Sequence, residues 1–228
     1  MERREAVPFD PHHFEKLARE GNLPPPEEVF RDIYRRHHWT GSRSLSGAGS
    51  GQEQTAELKR ALPELLKERG VSTVLDLPCG DYSWMRQVDL AGIRYIGADL
   101  LPELIAPLQA VHTDARHQFT VLDLTSDPLP PADLLFCRDC LVHLSYEDIR
   151  KALENFRESR IPLLLTTTFP DSDRNEEIVT GDWRPLNLER PPFNFPPPAN
   201  LLREGSTEAG GLFADKSLGL WRAADLLR

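Results

Sequence analysis

The chain is 228 residues long, with 39% hydrophobic and 28% charged residues, which suits one well-cored domain with embellishments and excludes a small fold held by staples. Its 27 Lys and Arg against 36 Asp and Glu leave a formal charge of −9, and the basic residues are scattered, which weighs against a nucleic-acid partner. No apolar run approaches the roughly 20 residues that cross a bilayer, so no membrane partner is expected. The opening MERREAVPFDPHH has neither an apolar core nor a small-residue cleavage site, and the chain reads as cytoplasmic. Cys79, Cys137 and Cys140 are odd in number, and the CxxC of Cys137 and Cys140 lacks a second ligand pair, so no metal is expected.

Residues 14–19 form a short helix candidate. Residues 27–36 place Val29, Phe30, Ile33 and Tyr34 at helical spacing, which predicts an amphipathic helix lying on a larger body. The Gly- and Ser-rich stretch 39–54 reads as a loop. Residues 54–69 carry Leu58, Leu62, Leu65 and Leu66 at helical spacing and stop at Gly70, a natural terminator. The division is thus 1–56, an N-terminal helical extension with its Gly/Ser loop, and 57–228, the main domain.

From Val71 onward the rhythm changes. Residues 73–77, 95–98, 119–122, 133–137 and 163–168 are continuous apolar or β-branched runs, as in strands buried on both faces of a parallel sheet. Helical segments at 82–88, 101–110 and 146–157 fall between them. The expected fold class is therefore α/β, a doubly wound, mostly parallel sheet with helices on both faces. A late strand pair, 201–204 and 217–222, closes it at seven strands.

Ligands of such sheets bind beyond the carboxyl ends of the strands. The first run ends in Asp76-Leu77-Pro78-Cys79-Gly80-Asp81-Tyr82. There Gly80 permits close backbone approach, and the N-terminus of the expected next helix offers N–H groups to an anion. The second run leads to Asp99, an acid suited to accept both hydrogen bonds of a ribose diol, or else to cap the following helix. Asp123 and Leu124, after the third run, suit an adenine edge through a carboxylate and a backbone amide.

These strings resemble the Rossmann-like (class I) S-adenosylmethionine-dependent methyltransferases. VLDLPCGDYSWM at 74–85, YIGADL at 95–100, FTVLDLTSDPLP at 119–130 and DLLFCRDCLVHLS at 133–145 come in that family's order. Pro78 and Tyr82 stand where the family usually has glycines. The resemblance covers residues 57–168 and the closing strands, and it implies S-adenosyl-L-methionine as cofactor. The implied binding set is Asp76, Cys79, Gly80, Tyr82, Trp84, Asp99, Leu100, Asp123, Leu124 and Arg138, with the aromatic faces of Tyr82 and Trp84 near the sulfonium. The implied activity is in-line methyl transfer to oxygen or nitrogen of a small molecule or peptide.

A hydroxyl or ammonium acceptor must lose a proton, and His143, just after the fourth run, is the expected base; a packing or capping group is the alternative. Asp139 is expected to accept from the cofactor amine or to orient the substrate. Residues 169–199, proline-rich and inserted before the closing strands, read as an active-site lid. In it Asn175, Trp183, Arg184, Asn187 and Phe193 are the expected substrate contacts, with a private hydrophobic cluster as the alternative for Trp183 and Phe193. The loop 46–51 is expected to close from the opposite side. Two other functions stand beside this one. A non-catalytic module binding S-adenosylmethionine or its product remains open, while a nicotinamide-dependent oxidoreductase is disfavoured because PCGDYS lacks the GxGxxG turn.

Overall fold

The computed structural model describes residues 10–36, 38 and 47–226, without the side chains of Pro26 and Ala48. Of the loop read at 39–54, residues 39–46 lie outside the described set, Ser46 among them. Among the described residues the strands are β1 (Thr73–Asp76), β2 (Arg94–Asp99), β3 (His117–Val121), β4 (Leu134–Cys137), β5 (Leu163–Thr168), β6 (Asn200–Arg203) and β7 (Ser217–Arg222). They form one sheet in the order β3-β2-β1-β4-β5-β7-β6. Every pair from β3 to β5 is parallel, and β7 runs antiparallel to both β5 and β6. The chain's strand order reverses between β1 and β4, which opens a crevice at their carboxyl ends.

The helices are α1 (His13–Arg19), α2 (Pro26–Arg36), α3 (Ala56–Glu68), α4 (Pro102–His112), α5 (Tyr146–Ser159) and α6 (Ala223–Leu226). In α3 the predicted stripe of Leu58, Leu62, Leu65 and Leu66 is buried, and the chain turns away at Gly70 with φ +65°. Full burial of each such side chain contributes roughly 1.5–3 kcal/mol. α5 starts at Ser145, whose side chain accepts from the Asp148 amide at 3.1 Å, and it buries Ile149, Ala152 and Phe156. α3 and α4 cover one face of the sheet together with Tyr95 and Phe136. α5 covers the other, with Leu186, Leu188 and Trp221. No helix among the described residues is long and apolar enough to cross a membrane.

Two expectations need correction. The helix expected at 82–88 is a single 3-10 turn, Met85–Gln87. Tyr82 adopts φ +57°, and the Asp81 side chain accepts from the Ser83 amide at 3.0 Å, so the chain makes an Asx-type turn where a helix would begin. No helix N-terminus therefore faces Gly80. The inserted stretch 169–199 is also not the cover of the crevice. It packs across the α5 face and closes on itself, with Asn187 Nδ2 donating to the carbonyls of Pro170 and Ser172 at 3.0 and 2.9 Å.

That stretch is instead the bed for the N-terminal helices. The carboxylate of Asp182 accepts from the amides of Phe14 and Glu15, at 2.7 and 2.9 Å. It thereby caps α1, whose own N-cap residue His12 makes no side-chain cap. Gly181, at φ +108°, lies so close to α2 that an added Cβ would fall 2.4 Å from Val29 Cγ1. Phe14, Val29 and Ile33 bury one another between the two helices. α2 then extends over the crevice, which makes it the covering element.

Candidate active site

A cavity of about 440 Å³ opens at the carboxyl ends of β1, β2 and β4. Asp76 and residues 77–80 line it from β1, Asp99 with Leu100 and Leu101 from β2, and residues 122–125 from beyond β3. Arg138, Asp139, Cys140 and His143 border it beyond β4, and α2 roofs it with Phe30, Ile33 and Tyr34.

The strand-end acids are buried. The Tyr95 hydroxyl donates to Asp76 Oδ2 at 2.5 Å. Burial pushes the Asp76 carboxyl up to about 8 against the opposing effect of that bond, so it is largely protonated at neutral pH. Asp99 accepts from the Gly80 amide and the Leu101 amide, each at 3.1 Å, and burial pushes it up to about 6. It thus joins the loop after β1 to the turn into α4, and its carboxylate oxygens can each accept a further bond. Asp123 Oδ1 accepts from both the amide and the hydroxyl of Thr125 at 2.7 Å. The Leu124 carbonyl is held by Asn155 Nδ2 at 2.9 Å. Leu100, Leu101, Leu122 and Leu124 make the adjoining wall apolar.

Beyond β4 the chain places a buried ion network. Arg138 pairs with Glu204 at 2.6 Å, donates to the Gly49 carbonyl at 2.8 Å and lies 5.3 Å from the centre of the Trp84 ring. Asp139 adopts φ +52°, unusual for a residue other than glycine. Its amide donates to Thr167 Oγ1 at 2.8 Å, and its Oδ2 receives Lys216 Nζ at 2.7 Å. Burial alone would raise its pKa, but Lys216 and Arg138 outweigh that and hold it well below the ordinary carboxylate range. Lys216 also meets Glu208 at 3.3 Å and Glu204 at 3.8 Å.

His143 sits in the 3-10 turn Leu141–His143. Its Nδ1 is 3.0 Å from the Asp182 carbonyl oxygen. A carbonyl only accepts, so Nδ1 carries the hydrogen and Nε2 the lone pair of the neutral ring. Burial pushes its pKa down to about 4, with the Asp182 bond opposing. Arg184 staples this turn, donating to the carbonyls of Leu141 and Leu144 at 3.0 and 2.8 Å.

Of the expected site residues, Asp76, Cys79, Gly80, Trp84, Asp99, Leu100, Asp123, Leu124, Arg138, Asp139 and His143 all border the one cavity. Tyr82 does not; it packs among Tyr95, Phe119 and His112, with ring centres 5.1 to 5.5 Å away. The five expected substrate contacts also lie elsewhere. Asn175 and Asn187 bind backbone within their own segment, Trp183 packs on Phe169 and Phe213, and Phe193 packs on Tyr146. From that segment only Thr180 reaches the cavity. Of the loop 46–51, Ser50 borders it. Sequence reasoning missed Phe30, Ile33 and Tyr34 as lining residues, although the stripe that carries them was visible. Glu204, Glu208 and Lys216 had no signal at all.

No protein-family model matches the sequence, and neither does any curated protein. The fold does match solved structures. Human N-acetylserotonin methyltransferase in complex with S-adenosylmethionine is similar at 18% identity and a TM-score of 0.54, over 92% of this chain and 65% of that one. The N-methyltransferase NodS from Bradyrhizobium japonicum WM9 is similar at 16% identity and a TM-score of 0.56, over 74% of this chain and 96% of that one. A putative methyltransferase from Thermobifida fusca YX is similar at 16% identity and a TM-score of 0.51, over 76% and 81%. This chain therefore has the fold of the Rossmann-like S-adenosylmethionine-dependent methyltransferases.

Proposed function

We propose that this protein is an S-adenosylmethionine-dependent methyltransferase that methylates oxygen or nitrogen of a small molecule. The observation that carries the reading is the convergence of Asp76, Gly80, Asp99 and Asp123, from three different strand ends, on one cavity of a methyltransferase fold. The residues fit the cofactor's chemistry. Asp76 is a buried carboxyl that borders the cavity, which suits the ammonium that S-adenosylmethionine carries. Asp99 would take the ribose hydroxyls, Asp123 the adenine amine, and the wall of Leu100, Leu101 and Leu124 the ring faces.

S-Adenosylmethionine supplies a methyl group on a sulfonium, which passes in line to the acceptor's lone pair as the carbon–sulfur pair returns to sulfur. Asp139 and His143 would hold the acceptor on the side of the cavity beneath α2. With a pKa near 4, His143 is neutral at cellular pH and takes a proton only when that proton has become acidic, as it does once the acceptor atom gains positive charge. The roof of α2 over the cavity supports a small acceptor over a peptide.

Titration calorimetry with S-adenosylhomocysteine tests the reading. One binding site and a rise in melting temperature are expected. No heat and no thermal shift at millimolar ligand would sink it.

A further inference from the structure

By element, the lining of the cavity falls into two groups. The acids and leucines after β1, β2 and β3 are those assigned above to the cofactor. The second group comes from α2, with Phe30 and Tyr34, and from the chain beyond β4, with Asp139, His143, Asp148 and Thr180.

The charges of this second group have one effective sign. Asp139 belongs to a network of three carboxylates, with Glu204 and Glu208, against the two cations Arg138 and Lys216. One negative charge is formally in excess, and Asp139 is the carboxylate of that network that borders the cavity. Asp148 is half-buried beside it and held by Thr180 Oγ1 at 2.6 Å and Lys151 Nζ at 3.0 Å. Two cations border the cavity among the described residues, and both already face carboxylates. Arg138 meets Glu204, while Lys151 meets Glu147 and Asp148 at 3.0 Å each. An anionic acceptor would give up its water here for no positive partner, which is strongly unfavourable. A cationic acceptor meets surplus negative charge in a cavity bordered by the aromatic residues Phe30 and Tyr34, residues of a kind whose rings attract cations.

We propose that the acceptor molecule carries an ammonium group on a largely apolar skeleton, that Asp139 and Asp148 hold this ammonium beneath Phe30 and Tyr34 while a separate atom of the molecule with a free lone pair takes the methyl group, and that carboxylate-bearing analogues are refused. This rests on the methyltransferase reading and narrows its acceptor class.

The test uses the full chain. S-Adenosylhomocysteine is titrated first; if it does not bind, the methyltransferase reading fails, a result distinct from failure of the acceptor class. The saturated protein is then titrated with phenethylamine, 2-phenylethanol and phenylacetate, which share a shape and differ in charge. The expected result is that phenethylamine binds about tenfold or more tightly than phenylacetate, with the alcohol between. Asp139→Asn should abolish that preference and leave the affinity for S-adenosylhomocysteine nearly unchanged. Because Asp139 sits in a buried network, Asp148→Asn is the second variant, expected to reduce the preference severalfold while S-adenosylhomocysteine still binds. Equal binding of the three probes, tighter phenylacetate, or undetectable phenethylamine at millimolar concentration overturns the proposal. So does a loss of S-adenosylhomocysteine affinity that parallels the loss of amine affinity in both variants, since the acids would then belong to the cofactor's ammonium.

Discussion

Nδ1 of His143 and the carbonyl oxygen of Asp182 lie 3.0 Å apart, while the carboxylate of the same Asp182 receives the first amides of α1. One residue of the inserted stretch thus ties the imidazole in the cavity to the helix pair that roofs it. Asp182→Ala should leave the amides of Phe14 and Glu15 unmet, costing about 1–3 kcal/mol. The backbone bond to His143 would persist. Hydrogen exchange should show faster exchange confined to α1 and α2, and unchanged protection there would refute the capping role.

The raised carboxyl of Asp76 has a consequence for stability. Its folded pKa of about 8 lies above the unfolded value of about 3.9, so between those values the folded state binds more protons than the unfolded one. Stability then falls as pH rises. Asp99 at about 6 and His143 at about 4 have largely finished titrating by about pH 7, which leaves Asp76 to dominate the slope from there to about pH 8. Urea unfolding across that window should show declining stability, and Asp76→Asn should flatten it. A ligand cation should also drive Asp76 to ionise, so binding of S-adenosylhomocysteine should release protons and tighten with rising pH. Calorimetry in buffers of different ionisation enthalpy measures that release.

Asp99→Ala removes the proposed ribose partner and two structural acceptors at once. Affinity for S-adenosylhomocysteine should fall by about 2–4 kcal/mol, since bonds to a charged acceptor contribute roughly 1.5–3 each and do not add fully. The amides of Gly80 and Leu101 also lose their acceptor, so stability should fall by about 1–2 kcal/mol. A stability loss with unchanged affinity would leave Asp99 a structural residue only.

Arg184 is a structural staple, and its replacement should show that. Arg184→Ala removes the donor to the buried Leu144 carbonyl and leaves the Leu141 carbonyl with the Leu144 amide at 3.3 Å, costing about 1–3 kcal/mol. Cofactor affinity should barely change, because the guanidinium does not border the cavity. Arg184→Lys should rescue little, since one ammonium cannot reproduce the fork that spans two carbonyls. Full stability in the alanine variant would contradict the assignment.

His143→Ala should lower turnover on an accepted amine by about 10²- to 10⁴-fold if the ring takes a proton during transfer, with affinity for S-adenosylhomocysteine unchanged. Burial holds its pKa near 4, so the wild-type rate should decline only in strongly acidic buffer. An equal decline with pH in the variant would reject the ring as the proton acceptor.

The sequence by itself determined the sheet and the acids at its edge, because both rest on local pattern. Continuous apolar runs mark buried strands within a few residues, and successive parallel strands deliver all their carboxyl ends to one side. Asp76, Asp99 and Asp123 therefore had to meet. Only the tertiary structure decided what covers them. The stripe of Val29, Phe30, Ile33 and Tyr34 says that a face must be buried, but periodicity carries no information about the surface it meets. The same limit applies to polar groups: the side chains of Asn175, Asn187 and Arg184 spend their hydrogen bonds on backbone carbonyls, which composition does not distinguish from readiness for a substrate. Tyr82 was misplaced because its positive φ follows from neighbours, not from its own preference. Glu204 and Lys216 reach Arg138 and Asp139 across 66 and 77 residues of chain, and charge pairing over that distance exists only once β7 has folded back beside β5.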